Sequence, residues 1–266
     1  MGEPRKSRPA PPTAGPSAAA PLGDPAKVVA WGLVFWGAVQ LAASVFARNA
    51  TVAVAVQAAI AEWGAGAMGI AWSDPFAPIP TPVSILRRAA LGATLGGATA
   101  ALGIAAALAA GTASLAPFAP AVGPVALGLV LAALGAVRDE LLVRGVVLRA
   151  TRGVFTPWAA LAACGAATAA ARFGVDGTLT TVVAFEALRG AALGALWMRD
   201  RGAWMAWAAN AAWTWTAGSL ARGGVLDVRF KGESQGGLPV LLVLATAALT
   251  AAAWSMRKRQ GPKPAP

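Results

Sequence analysis

The chain has 266 residues, of which 57% are hydrophobic and only 12% charged, with a mean hydropathy of +0.61. Soluble globular domains carry about 25% charged residues, so this composition excludes that class and indicates an integral membrane protein. Histidine is absent and cysteine occurs once, at Cys164; Ser-His-Asp triads, Cys-His pairs, HExxH zinc sites and internal disulfides are excluded with them.

The net charge of +11 would suggest a nucleic-acid partner in a soluble chain. Here the basic residues lie mostly between apolar runs, where they set membrane topology, and no nucleic-acid partner is expected. Residues 1–27 are rich in Pro, Ala and Ser. They cannot build a packed core and are expected to form a disordered tail. The next run, Val28–Ala47, is too long for the apolar core of a signal peptide. Eight apolar runs follow in order, at about 28–47, 51–72, 89–110, 121–148, 157–172, 181–198, 203–217 and 238–255. About 20 apolar residues cross a bilayer. The expected fold is therefore all-α, a multi-pass bundle of about eight transmembrane helices over residues 28–255. A basic tail covers 256–266. The run at 51–72 contains Glu62, which leaves its full crossing open.

Charge placement sets the expected orientation. With a cytoplasmic N-terminus, Arg5, Lys6, Arg8, Lys27, Arg87, Arg88, Arg149, Arg152, Arg199, Arg201, Arg257, Lys258, Arg259 and Lys263 fall inside. Only Arg48, Arg172, Arg222, Arg229 and Lys231 fall outside. That asymmetry follows the positive-inside rule and places both termini in the cytoplasm. The stretch Ser219–Pro239 is the longest outer segment; its glycines and charges predict irregular backbone, either a connector or a lid.

The run Ala121–Ala150 organises the rest. It is apolar for most of its length and then carries Arg138, Asp139, Glu140 and Arg144. Each charge in a membrane-length run costs about 3 kcal/mol on insertion scales and so faces a bundle interior. Glu140 and Arg144 are one turn apart and can neutralise each other. At 1.5 Å per residue, Glu140, Arg172, Asn210 and Thr214 lie roughly 10–22 Å from the inner surface. Three helices thus bring polar groups to one depth, as an intramembrane site requires; the alternative is that neighbours satisfy each separately. Glu186 and Arg189, three apart, suit a helix-face pair. Trp197, Trp204, Trp207, Trp213 and Trp215 suit interface anchors and bundle filling. Cys164 suits a small buried residue. No residue cluster suggests a cofactor or a metal.

Asp139-Glu140-Leu141-Leu142-Val143-Arg144-Gly145 resembles the E-E-x-x-x-R-G motif of the CPBP family, the CAAX-processing and bacteriocin-processing membrane proteases also called ABI. Pro157-Trp158 opens a stretch similar to the family's P-W-x(9)-F-x-x-x-H, with Thr168 at the Phe position and Arg172 at the His position. Trp204–Trp215 resembles the family's last motif, with Asn210 at the second His and Thr214 at the Asn. The resemblance covers about residues 120–240. It implies an eight-helix intramembrane endopeptidase core in a bacterial inner membrane. In that family the glutamate activates water, while the histidines and the Asn hold the oxyanion. The site residues it implies are Glu140, Asp139 and Arg144, retained, with Arg172, Asn210 and Thr214 at replaced positions.

Three functions follow. The first is a degenerate homologue that binds a membrane-embedded peptide or C-terminal sorting segment, or assists a partner membrane protease, without efficient cleavage. The second is an active glutamic-type endopeptidase using Glu140. The third is a small transporter, motivated by the intramembrane charges but lacking a visible inverted repeat.

Overall fold

A computed structural model describes residues 24–73, 79–117, 122–176, 181–231 and 237–257. Most of the expected N-terminal tail and the last nine residues lie outside the described residues.

Helix α1 spans Pro25–Val45. It starts three residues earlier than the apolar run because Asp24 accepts a hydrogen bond from the Ala26 amide at 2.9 Å and Pro25 fits the first turn. Helix α2 (Ala50–Ala67) is capped by Asn49, which accepts from the Val52 amide. Helix α3 (Pro82–Ala109) is capped by Thr81. It begins seven residues before its predicted start because Ile85, Arg87 and Arg88 continue the helix below the apolar stretch. Helix α4 (Val122–Arg138) leads into a π-helical segment, Asp139–Gly145, and then a short α5 (Val146–Thr151). Helices α6 (Pro157–Asp176), α7 (Thr181–Asp200), α8 (Trp204–Thr214) and α9 (Gly237–Arg257) complete the bundle.

Every predicted apolar run is largely helical, yet among the described residues four helices, α1, α2, α3 and α9, are long and apolar enough to cross a membrane. This corrects the count of eight spans. The reasons are local: the π-helical segment cuts α4 to 17 residues, α8 has 11, and α7 carries Glu186, Arg189, Arg199 and Asp200. Helices α1, α3 and α9 expose Leu33, Leu41, Leu86, Leu102, Leu242 and Leu249, all over half accessible, and α2 exposes Trp63. Apolar surface on that scale belongs against lipid rather than water. The molecule is a mostly helical, multi-pass membrane protein.

Small residues set the helix contacts. On α3 the buried stripe is Gly92, Gly96, Ala100, Gly103 and Ala107. A Cβ at Gly92 or Gly96 would strike the α8 carbonyl oxygens of Met205 or Ala209. Close backbone approach through small residues four apart is how helices pack without a hydrophobic driving force.

One departure from an all-helical chain is a two-stranded antiparallel ribbon, β1 (Ala113–Ala116) with β2 (Asp227–Phe230). Its register pairs Ala113 with Phe230 and Ala116 with Asp227. The segment expected to be irregular thus begins with π-helical winding at Trp215–Leu220 and then contributes a strand. The ribbon closes one end of the bundle. The starts of α1, α3, α6 and α8 and the end of α9 share the other.

Candidate functional site

The π-helical segment lies between α2, α6 and α7, and all seven of its residues are buried. Glu140 and Arg144 are both fully inaccessible. Arg144 Nε donates to Glu140 Oε2 at 2.7 Å and Nη2 to Oε1 at 2.5 Å. Nη1 turns to Thr168 Oγ1 on α6 at 3.2 Å, while that hydroxyl donates to the Cys164 carbonyl at 2.8 Å. Both carboxylate oxygens are therefore held by one planar guanidinium, the geometry in which an ion pair tolerates burial. Cys164 is fully buried and fills space against Gly194.

Asp139 has a different environment. Arg138 lies beside it, Nη2 to Oδ1 at 2.6 Å, and also donates to Gln57 of α2 at 2.8 Å. The other carboxylate oxygen, Oδ2, faces Arg172 Nη2 at 3.6 Å, and the Arg172 side chain is 39% exposed. Asp139 therefore sits at a rim, partly reachable, whereas Glu140 is sealed. A π-helical turn, which adds one residue to an α-helical turn, belongs to the local winding that sends these adjacent carboxylates to different partners.

A third cluster joins α7 and α8. Arg189 binds Glu186 through Nε at 2.9 Å and Nη2 at 2.5 Å, and its Nη1 donates to Asn210 Oδ1 at 2.8 Å. Asn210 is 1% exposed, and its Nδ2 has no hydrogen-bond partner among the described residues. Arg189 is close enough to act electrostatically on both Asp139 and Glu140. It also lines an apolar groove of about 930 Å³ between α3, α7, α8 and α9, walled by Leu95, Leu102, Leu193, Trp213 and Leu244.

The predicted site residues thus fall into groups. Glu140 pairs with Arg144, and Glu186 with Arg189, as the spacings require. Arg172 meets Asp139 rather than Glu140, and Asn210 meets Arg189. Thr214 is exposed at the end of α8. Sequence reasoning missed Thr168 as a partner of Arg144, and Gln57 with Arg138 as the second flank of Asp139. The spacing from Pro157-Trp158 already placed Thr168 one turn before Arg172, and that was the available signal. The tryptophans tie helices together: Trp207 Nε1 donates to the Ala133 carbonyl and Trp215 Nε1 to Val125, both at 2.9 Å. Trp72 stacks on Trp204 and donates to Glu62. Among the described residues no three acidic or cysteine side chains converge as a metal site would need.

The fold and this charge-paired interior define a mostly helical membrane protein with a buried polar cluster. Residues 121–216, from the start of α4 into the segment after α8, match the family described as Type II CAAX prenyl endopeptidase Rce1-like. The matched stretch holds all three charged clusters and is similar to an endopeptidase domain of that type. No curated protein and no solved structure matches the chain.

Proposed function

We propose that this protein is a degenerate relative of the CAAX-type intramembrane endopeptidases that binds a membrane-embedded peptide segment without efficient hydrolysis. The observation that carries this reading is that Glu140, Arg172 and Asn210 are each engaged by a charged neighbour. Glu140 has both oxygens bound to Arg144 and a fully inaccessible side chain, so its carboxylate is held in an ion pair rather than presented to an open cavity. Arg172 and Asn210, at the two family histidine positions, are engaged by Asp139 and Arg189. Neither can take and return a proton as an imidazole does. A lost oxyanion donor costs roughly 10²–10³ in rate.

Peptide binding is supported by the groove. It is apolar, lies between helices exposed to lipid, and has Arg189 at its floor. The adjacent Asn210 Nδ2 is a buried donor without an acceptor. Burying such a group costs about 1–3 kcal/mol, and a peptide carbonyl reaching this depth would relieve that cost. In this reading α4 to α8 also lie at membrane depth, screened by the four long helices, and the partner is a C-terminal or sorting segment.

A second reading is favoured by the exposure of Asp139. If residual hydrolysis occurs, Asp139 is the base, because it is the carboxylate beside the histidine position; Glu140 is sealed behind Arg144. Purified protein in nanodiscs, given a fluorogenic CAAX-type peptide, separates the two. Binding without turnover, unchanged by Asp139→Asn, supports the degenerate relative. Turnover abolished by Asp139→Asn supports the second reading. The double variant Arg172→His with Asn210→His is expected to raise turnover in either case.

A further inference from the structure

The end of the bundle opposite the β-ribbon holds a cavity of about 590 Å³ that is separate from the groove and lacks both motif carboxylates. Arg149, Arg152, Arg199 and Arg201 line it, and no carboxylate does among the described residues. These arginines come from three places: the last turn of α5, the turn after it, and the junction of α7 with α8. Cations on segments this far apart in sequence are brought together by the fold, whereas repulsion alone would spread them.

Two features mark the cavity as built for an anion. Arg149 Nε is buried and has no hydrogen-bond partner among the described residues. Other atoms of the Arg149 side chain line the cavity, where an oxyanion would supply a counter-charge to its guanidinium. Arg201 sits at φ 56°, a left-handed conformation uncommon for a side chain of this size. The turn is held there from outside: Gly202 forms a bridge with Ser73, and the Ala203 amide donates to the Trp72 carbonyl at 2.9 Å. The Gly202 amide also returns to the Trp197 carbonyl at 3.2 Å. A left-handed residue closed by such a return bond is a common way to end a helix, and it fixes the backbone from which Arg201 lines the cavity.

The mouth of the cavity indicates where the anion comes from. Phe155 lines the cavity and is 53% exposed, and Trp158, the second residue of α6, is 55% exposed. Exposed aromatic rings beside arginines occupy the headgroup level of a bilayer. We propose that this cavity binds a phosphate oxyanion at the membrane surface, delivered by the headgroup of an anionic phospholipid. Arg149 and Arg201 contact the oxyanion from opposite sides. Arg199 is stacked on Trp254 at 4.3 Å and supplies charge from behind.

The test uses the full chain in a neutral detergent, titrated with phosphatidylglycerol, phosphatidylcholine or sodium phosphate and read by native mass spectrometry. Phosphatidylglycerol is expected to be retained roughly tenfold more tightly than phosphatidylcholine. Arg149→Gln and Arg201→Asn should each weaken it about tenfold; asparagine tolerates the left-handed turn. Arg87→Gln, exposed at the same end and outside the cavity, should change nothing. Arg149→Lys should keep part of the affinity, and if Arg149→Gln fails to fold, Arg201→Asn decides. Retention of free phosphate but not of the lipid, lost in the same variants, would overturn the lipid source and leave a soluble phosphate. Equal losses in Arg87→Gln and the cavity variants, or no loss in any, would overturn the site.

Discussion

Glu140 and Asp139 are neighbours in the chain and opposites in environment. Glu140 is fully inaccessible, held through two hydrogen bonds by Arg144, with Thr168 completing the guanidinium's partners. Asp139 retains 11% side-chain exposure and is shared between Arg138 and the half-open Arg172. The first arrangement is the kind that holds a bundle together; the second is the kind that can meet a ligand. A single π-helical segment supplies both, so the motif combines a sealed ion pair with a carboxylate at the rim. Substitutions that spare one and remove the other separate these roles.

The largest effect is expected at the sealed pair. Arg144→Ala leaves Glu140 buried without a counter-charge, which costs about 3–5 kcal/mol. Thermal unfolding in detergent should show a strongly lowered midpoint or no folded protein. The double variant Glu140→Leu with Arg144→Met removes both charges and should recover much of that loss, because apolar replacement of a whole buried pair is often neutral. If the double variant is as unstable as the single one, the pair is not acting as a unit.

These pairings show how far the sequence could be read. The Glu140–Arg144 and Glu186–Arg189 contacts lie within one helix, where spacing alone fixes which side chains share a face. The Arg189–Asn210 bond crosses from α7 to α8, and the Arg172–Asp139 contact from α6 to the motif. Depth along the membrane placed Glu140, Arg172 and Asn210 at similar heights, but the rotation of each helix about its axis carries no comparable signal when nearly every neighbour is alanine or glycine. Thr214 shows the consequence, since it has a plausible depth and an exposed side chain. The π-helical winding at Asp139–Gly145 was invisible because each residue there, apart from Gly145, is also acceptable in an α-helix. The β1–β2 pairing joins two four-residue strands more than a hundred residues apart, which no local pattern announces. The apolar runs were read well, whereas their number as crossings was not, because length and charge decide that jointly.

A smaller effect, still on the sealed side, is expected at Gly190. A Cβ there would strike Thr168 Oγ1 and approach the Cys164 carbonyl oxygen to 2.7 Å. Gly190→Ala should therefore push α7 off α6 and disturb the hydroxyl that Arg144 uses. Overpacking of this kind costs about 1–3 kcal/mol. The melting midpoint should fall, and Thr168→Ala, which removes the struck oxygen, should restore part of the packing loss when combined with it. A midpoint unchanged by Gly190→Ala would mean that α6 and α7 are packed less closely than the Thr168 contact requires.

The smallest stability effect is expected at the rim. Arg172 is 39% exposed and lies 3.6 Å from Asp139, which is already paired with Arg138. Exposed ion pairs contribute about 0–1 kcal/mol and are screened by salt. Arg172→Ala should leave the melting midpoint nearly unchanged, and any difference should shrink further as salt is raised. Peptide binding should respond more than folding does, because the substitution changes the charge beside the reachable carboxylate while the sealed pair stays intact. A loss of stability matching that of Arg144→Ala would erase the distinction between rim and interior. Unchanged stability with altered peptide affinity would establish it.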